Sequence, residues 1–207
     1  MKKSLDRILT THVGSLPRNA ELSQLLIDQE NDNLTSHDQL TKEIEKAMER
    51  VIAQQLLAGI DIGNDGEQSR VGFQTQISQR IQGFSGESKR RLSIELSHFP
   101  DYAVPLIQNK MPRGKFANCP HCTSLLNYQP NQCIEECEIF LKTLKKSTNK
   151  FIETFMTAPS PGIIATTMHN KFYDTYENYL FSLADQLRNE YELIYSNQFL
   201  LQIDAPD

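Results

Sequence analysis

Residues 59–70 read GIDIGNDGEQSR, which sets Asp61, Asp65, Glu67 and Arg70 just beyond an apolar step. Carboxylates at the end of a buried strand either pair with basic neighbours or hold a cationic ligand, because an unpartnered buried charge is costly. Two more polar groups follow apolar runs: Ser15 in RILTTHVGSLP and Asp204 in FLLQIDAPD. Two acids facing one ammonium would each make a charge-assisted hydrogen bond, and the cation would suppress their mutual repulsion. Each residue also has a plainer reading. Glu67 could pair with Arg70 or a neighbour, Asp204 could cap a loop or helix, and Ser15 could be an ordinary turn serine. His12 could contact a ligand or hydrogen-bond internally. Arg18 could meet an anion or lie on the surface.

The cysteines offer a different chemistry. Cys119 and Cys122 form C-x2-C, Cys133 and Cys137 form C-x3-C, and His121 stands inside the first pair. A zinc site of four thiolates is one reading of that spacing. Against it, no glycines follow the pairs, and Cys133 and Cys137 fall one turn apart on a predicted helix. The turn GESKRR could meet a polyglutamate or phosphate tail, or be a solvated basic turn. The tyrosine-rich KFYDTYENYL reads as helix packing.

The elements that must position these residues alternate. RILTTHVGSLP reads as a first strand, closed by Pro17. A long helix follows, with Ser36 and Gln39 in capping-box spacing and Leu40, Ile44, Met48, Val51 and Leu56 on one stripe. Gly59 stands where a C-cap glycine belongs, and IDIGN is the second strand. The stretch from Gly86 to Tyr128 reads as an excursion. NQCIEECEIFLKTLKKS predicts a helix and KFIETFMTAPSPG a third strand. Asp174 and Glu177 open another long helix, with Tyr176, Leu180, Leu183, Leu187 and Ile194 on one stripe and Asn197 as its stop. FLLQIDAPD is the fourth strand. Strand–helix alternation predicts a parallel sheet, whose functional groups gather at the carboxyl ends of its strands.

The chain has 207 residues, 39% hydrophobic and 23% charged, with a formal net charge of −5. That composition is globular. It shows no dense basic face, which disfavours nucleic acid, and no apolar run long enough to span a membrane. The start has no secretory pattern, so the four cysteines are expected as reduced thiols in the cytoplasm.

TTHVGSLPR, DIGNDGEQSR, RIQGFSGESKR, TAPSPGIIATTMHNKFYD and FLLQIDAPD, in this order, resemble the catalytic barrel of cobalamin-independent methionine synthase. The likeness is closer still to the shorter single-barrel relatives described as methionine synthase II-like proteins. The resemblance implies an α/β fold: a partial (β/α)8 TIM barrel with about the first four βα units and an excursion between strands two and three. Residues 1–207 would be a single incomplete barrel domain. It also implies zinc-assisted methyl transfer from methyltetrahydrofolate to the thiol of homocysteine, giving methionine. Carried over by residue, Ser15 in the VGS turn would hold the substrate carboxylate. Glu67 and Asp204 would contact its ammonium, with His12 at the barrel mouth.

Three departures stand out. Asp65 replaces the histidine of the family's HGE, Ala205 replaces the glutamate of QIDEP, and the chain has no tryptophan to pack on a folate. The family's zinc ligands follow the QIDEP strand, so none is expected here, and neither a catalytic nor a metal residue is assigned. The expectation is a protein inactive alone. The alternatives are a non-catalytic half-barrel that self-associates or pairs with a second half-barrel chain, and a transferase acting on another thiol such as coenzyme M.

Overall fold

The computed structural model describes residues 1–72, 75–87, 98, 99, 101 and 119–206. Most of the expected excursion, including GESKRR from Ser88 onward, lies outside the described residues.

Helix α1 (Ala20–Glu30) opens on Asn19, whose side chain accepts from the Leu22 amide. Sequence reading missed this helix. Helix α2 (His37–Leu57) opens on Ser36, whose hydroxyl accepts from the Gln39 amide at 3.2 Å, as the capping-box spacing predicts. It buries Leu40, Ile44, Met48 and Val51. Its end is a Schellman motif: the Gly59 amide donates to Leu56 and the Ile60 amide to Gln55, with Gly59 at φ +76°. Only glycine takes that conformation without strain.

Strand β1 (Ile62–Asn64) leads through α3 (Ile77–Arg80) to β2 (Ile81–Ser85), which pairs antiparallel with β3 (His121–Tyr128). Helix α4 (Asn131–Lys146), strand β4 (Glu153–Pro159), helix α5 (Pro161–Thr167), helix α6 (Tyr176–Ser196) and strand β5 (Leu200–Asp204) complete the order. The α6 cap is Thr175, not Asp174: the Thr175 hydroxyl accepts from the Asn178 amide at 3.1 Å. Asn197 ends the helix as expected.

The main sheet runs β1–β4–β5, with both pairings parallel. The expected first strand is reduced to one parallel bridge, Thr11 to Ile62. The reason is local: most of residues 7–15 are exposed, and few side chains anchor them. The wall therefore has four parallel positions: the Thr11 segment, β1, β4 and β5. This is an α/β partial barrel, with the β2–β3 ribbon rising between its second and third positions.

Two apolar clusters back the wall. One gathers α1, α2, α4, Met156 and Ala158 around Leu26, Met48 and Phe140. The other packs α5 and α6 on the ribbon around Ile164, Tyr179 and Leu183. On the surface, Lys142 pairs with Glu45 and Lys146 with Glu49, joining α4 to α2.

Candidate functional site

The turn after β1 is built by its own side chains. The Asn64 carboxamide donates to the His12 carbonyl and accepts from the Gly66 amide at 2.8 Å. Asp65 is 1% exposed, and its Oδ1 accepts from the Glu67 amide at 3.1 Å. Gly66 and Glu67 both take left-handed backbone, φ +62° and +53°. Glycine is required first, since a Cβ on Gly66 would press on Leu16 at 3.1 Å. Glu67 bears the strain of the second position, and its surroundings hold it there. Arg18 donates to the carbonyls of Glu67 and Arg70 at 2.8 and 2.5 Å.

This turn aims the Glu67 carboxylate at the rim. The Ser15 hydroxyl donates to Glu67 Oε2 at 2.5 Å, and the Thr157 hydroxyl donates to Oε1 at 3.3 Å. Across the rim, Asp204 ends β5, and its Oδ1 accepts from Gln202 Nε2 at 2.7 Å. The Asp204 carbonyl accepts from the Ser160 amide at 2.8 Å, which ties the rim to the start of α5. Ser15, Glu67 and Asp204 line one open cleft of about 540 Å³, together with Val13, Gly14 and the stretch 202–206. His12 is not part of that lining. Its Nε2 lies 2.9 Å from the Gly14 carbonyl.

Arg70 does not pair with Glu67. It is buried and forks onto Glu136, with Nε to Oε1 at 2.7 Å and Nη2 to Oε2 at 3.0 Å. Its Nη1 donates to the Thr157 carbonyl and hydroxyl. Arg80 bridges Glu136 and Glu190 at 2.8 and 2.9 Å, and the Tyr128 hydroxyl donates to Glu190. Burial alone would raise the Glu136 carboxyl, yet Arg70 and then Arg80 hold it well below the usual carboxylate range. Asp65 has no such fork. Burial pushes its carboxyl up to about 6 against the pull of Arg70, and its Oδ2 lacks a hydrogen-bond partner. Thr157 is the part of this site that sequence reading missed; Arg18, expected on an anion or the surface, instead braces the turn's carbonyls, and the turn-forming role of Asp65 was not read. The only available signal was Asp65 within DGE, two residues ahead of Glu67 as an Asx turn requires.

None of the four cysteines is in a disulfide, and they fall in two places. Cys119 and Cys122 pack in the α5–α6 cluster, and Cys133 and Cys137 in the α2–α4 cluster. Among the described residues, no three His, Cys, Asp or Glu side chains gather as a metal would need. The described residues therefore do not fit the zinc of the resemblance.

The model of the catalytic domain of cobalamin-independent synthase matches residues 8–101. A B12-independent methionine synthase from Shewanella sp. W3-18-1, solved in complex with selenomethionine, superposes with a TM-score of 0.67 at 21% identity, over 95% of this chain and 51% of that one. A putative vitamin-B12 independent methionine synthase from Listeria monocytogenes gives 0.60 at 15% identity, over 96% of this chain and 53% of that one. No curated protein matches. The chain thus resembles these synthases and shares their fold, spanning about half their length. No helix among the described residues is long and apolar enough to cross a membrane.

Proposed function

We propose that this chain is a relative of cobalamin-independent methionine synthase and that its cleft binds the amino-acid head of a methionine-like substrate. The observation that carries this reading is the convergence of Ser15, Glu67 and Asp204, from three separate strand ends, on one cleft. Glu67 and Asp204 receive the ammonium. Glu67 is already oriented by two hydroxyl donors, so little rotamer freedom is lost on binding. Ser15 serves here as the partner of Glu67, and the carboxylate pole of the ligand falls to the Val13–Ser15 turn. His12, held on Gly14, shapes that turn. The resemblance supplies the wider chemistry, methyl transfer from methyltetrahydrofolate to the homocysteine thiol. Four cysteines with no disulfide among them fit a reducing compartment such as the cytoplasm.

Calorimetric titration with L-methionine tests the reading. The wild-type chain should bind it. Glu67→Gln and Asp204→Asn should each weaken binding by roughly 10- to 100-fold, the value of one charge-assisted hydrogen bond. No binding by a folded wild-type chain, or equal binding by both variants, overturns it. Given methyltetrahydrofolate and homocysteine, the chain alone should form no methionine. Robust turnover would refute that part.

A further inference from the structure

Thr157 lies on β4 and is buried, with its hydroxyl between two charged groups. Arg70 Nη1 donates to Thr157 Oγ1 at 2.8 Å, and Oγ1 donates to Glu67 Oε1 at 3.3 Å. A hydroxyl has a single proton, and a guanidinium has no lone pair to accept it. The proton is therefore turned away from Arg70 and toward Glu67. Arg70 is itself held in place: Glu136 accepts from Nε and Nη2, and the Thr157 carbonyl accepts from Nη1. The direction of the Thr157 hydroxyl is thus set by groups that are themselves buried. Packing alone would be met by valine, which has the same shape and no polar atom to satisfy.

We propose that Thr157 is a positioning residue for the cleft: oriented by Arg70, its hydroxyl fixes one oxygen of Glu67 while Ser15 fixes the other. The inference rests on the reading of the cleft as an ammonium site. The turn sets the backbone of Glu67, and the two hydroxyls set its side-chain torsions. Each carboxylate oxygen has spare lone pairs beyond the one a hydroxyl takes. With both hydroxyls donating, the group offers only acceptor sites to the cleft, which selects a cationic donor over an anion. The carboxylate then needs no rearrangement when the ligand arrives, and a site held in this way loses affinity when its support is loosened. Arg70 has two tasks in this arrangement. One side of its guanidinium locks Glu136, and the other steers the hydroxyl that aims Glu67.

Two measurements on the full chain test this: calorimetric titration with L-methionine, and side-chain scalar couplings by nuclear magnetic resonance that report the Glu67 rotamer without ligand. In the wild type Glu67 should hold one rotamer. In Thr157→Val it should average over several, and binding should weaken by roughly 5- to 20-fold. Thr157→Ser keeps the hydroxyl and should restore both. In a Glu67→Ala background, Thr157→Val should cost no more than roughly twofold further, because the group it acts through is gone. An unchanged rotamer in Thr157→Val, no recovery in Thr157→Ser, or an equal penalty in the Glu67→Ala background overturns the proposal. If the wild type binds no L-methionine while the rotamer responds as expected, the ligand reading falls and the positioning role stands. If it binds and neither rotamer nor affinity responds, the positioning role falls and the ligand reading stands. If Thr157→Val does not fold, the wild-type couplings decide: a fixed Glu67 supports the proposal and an averaged one overturns it.

Discussion

The four charges of DIGNDGEQSR have four separate tasks. Asp61 takes both guanidinium arms of Arg7 and the Thr10 amide, and these hydrogen bonds hold its carboxyl far below the usual range. Asp65 folds the turn, Glu67 faces the cleft, and Arg70 locks Glu136. Asp65 gives a prediction with a definite sign. Burial lifts its folded carboxyl to about 6, from an ordinary value of 3.8. The native state therefore holds this proton more tightly than the unfolded chain. The stability from that proton is full below the unfolded value and is lost as pH rises through about 6. Asp65→Asn should flatten the wild-type decline in melting temperature between those two pH values. An unchanged slope refutes the assignment. Glu136 works in the opposite direction and lower down, where acid protonates it and weakens its hold on both arginines. From sequence, Glu67 and Asp204 could be placed at strand ends, because each closes an apolar run. That Arg70 turns away from Glu67 could not be read, since its partner lies 66 residues away on α4.

Among the elements, periodicity made α2, α4 and α6 legible, and the apolar runs gave β1, β4 and β5. Helix α1 was hidden because AELSQLLIDQE is short and follows a proline-closed turn. Glu136 is the position where an element depends most on a single side chain. Glu136→Gln weakens the fork on Arg70 and the bridge to Arg80, leaving two buried cations undercompensated. It should cost about 3–5 kcal/mol, read from urea unfolding. A loss under 1 kcal/mol, on the scale of an exposed pair, would show the network to be dispensable. Gly63 tests strand packing. A Cβ there would stand 2.3 Å from the Phe151 ring, so Gly63→Ala should destabilise by roughly 1–3 kcal/mol through overpacking. A neutral result would mean that Phe151 moves aside freely.

At the scale of the whole molecule, the two apolar clusters are joined by the ladder Arg70–Glu136–Arg80–Glu190, whose ion pairs are almost wholly excluded from water. No local pattern announces such a ladder, because its members come from four separate stretches of chain. The fold class was legible for a different reason: five motifs in fixed order resemble one barrel.

The surface pairs between α2 and α4 carry a last consequence. Lys142 meets Glu45 and Lys146 meets Glu49, so the charges repeat at the same one-turn interval on both helices. Sliding one helix along the other by a full turn would still match a lysine to a glutamate, so these pairs tolerate two alignments. The other contacts between the two helices distinguish them: Thr41 of α2 donates to Glu135 of α4 at 2.9 Å, and Leu40 and Ile44 share one apolar cluster with Ile139 and Phe140. They act as the key that sets which turn faces which, while the outer charges act as an interchangeable rack.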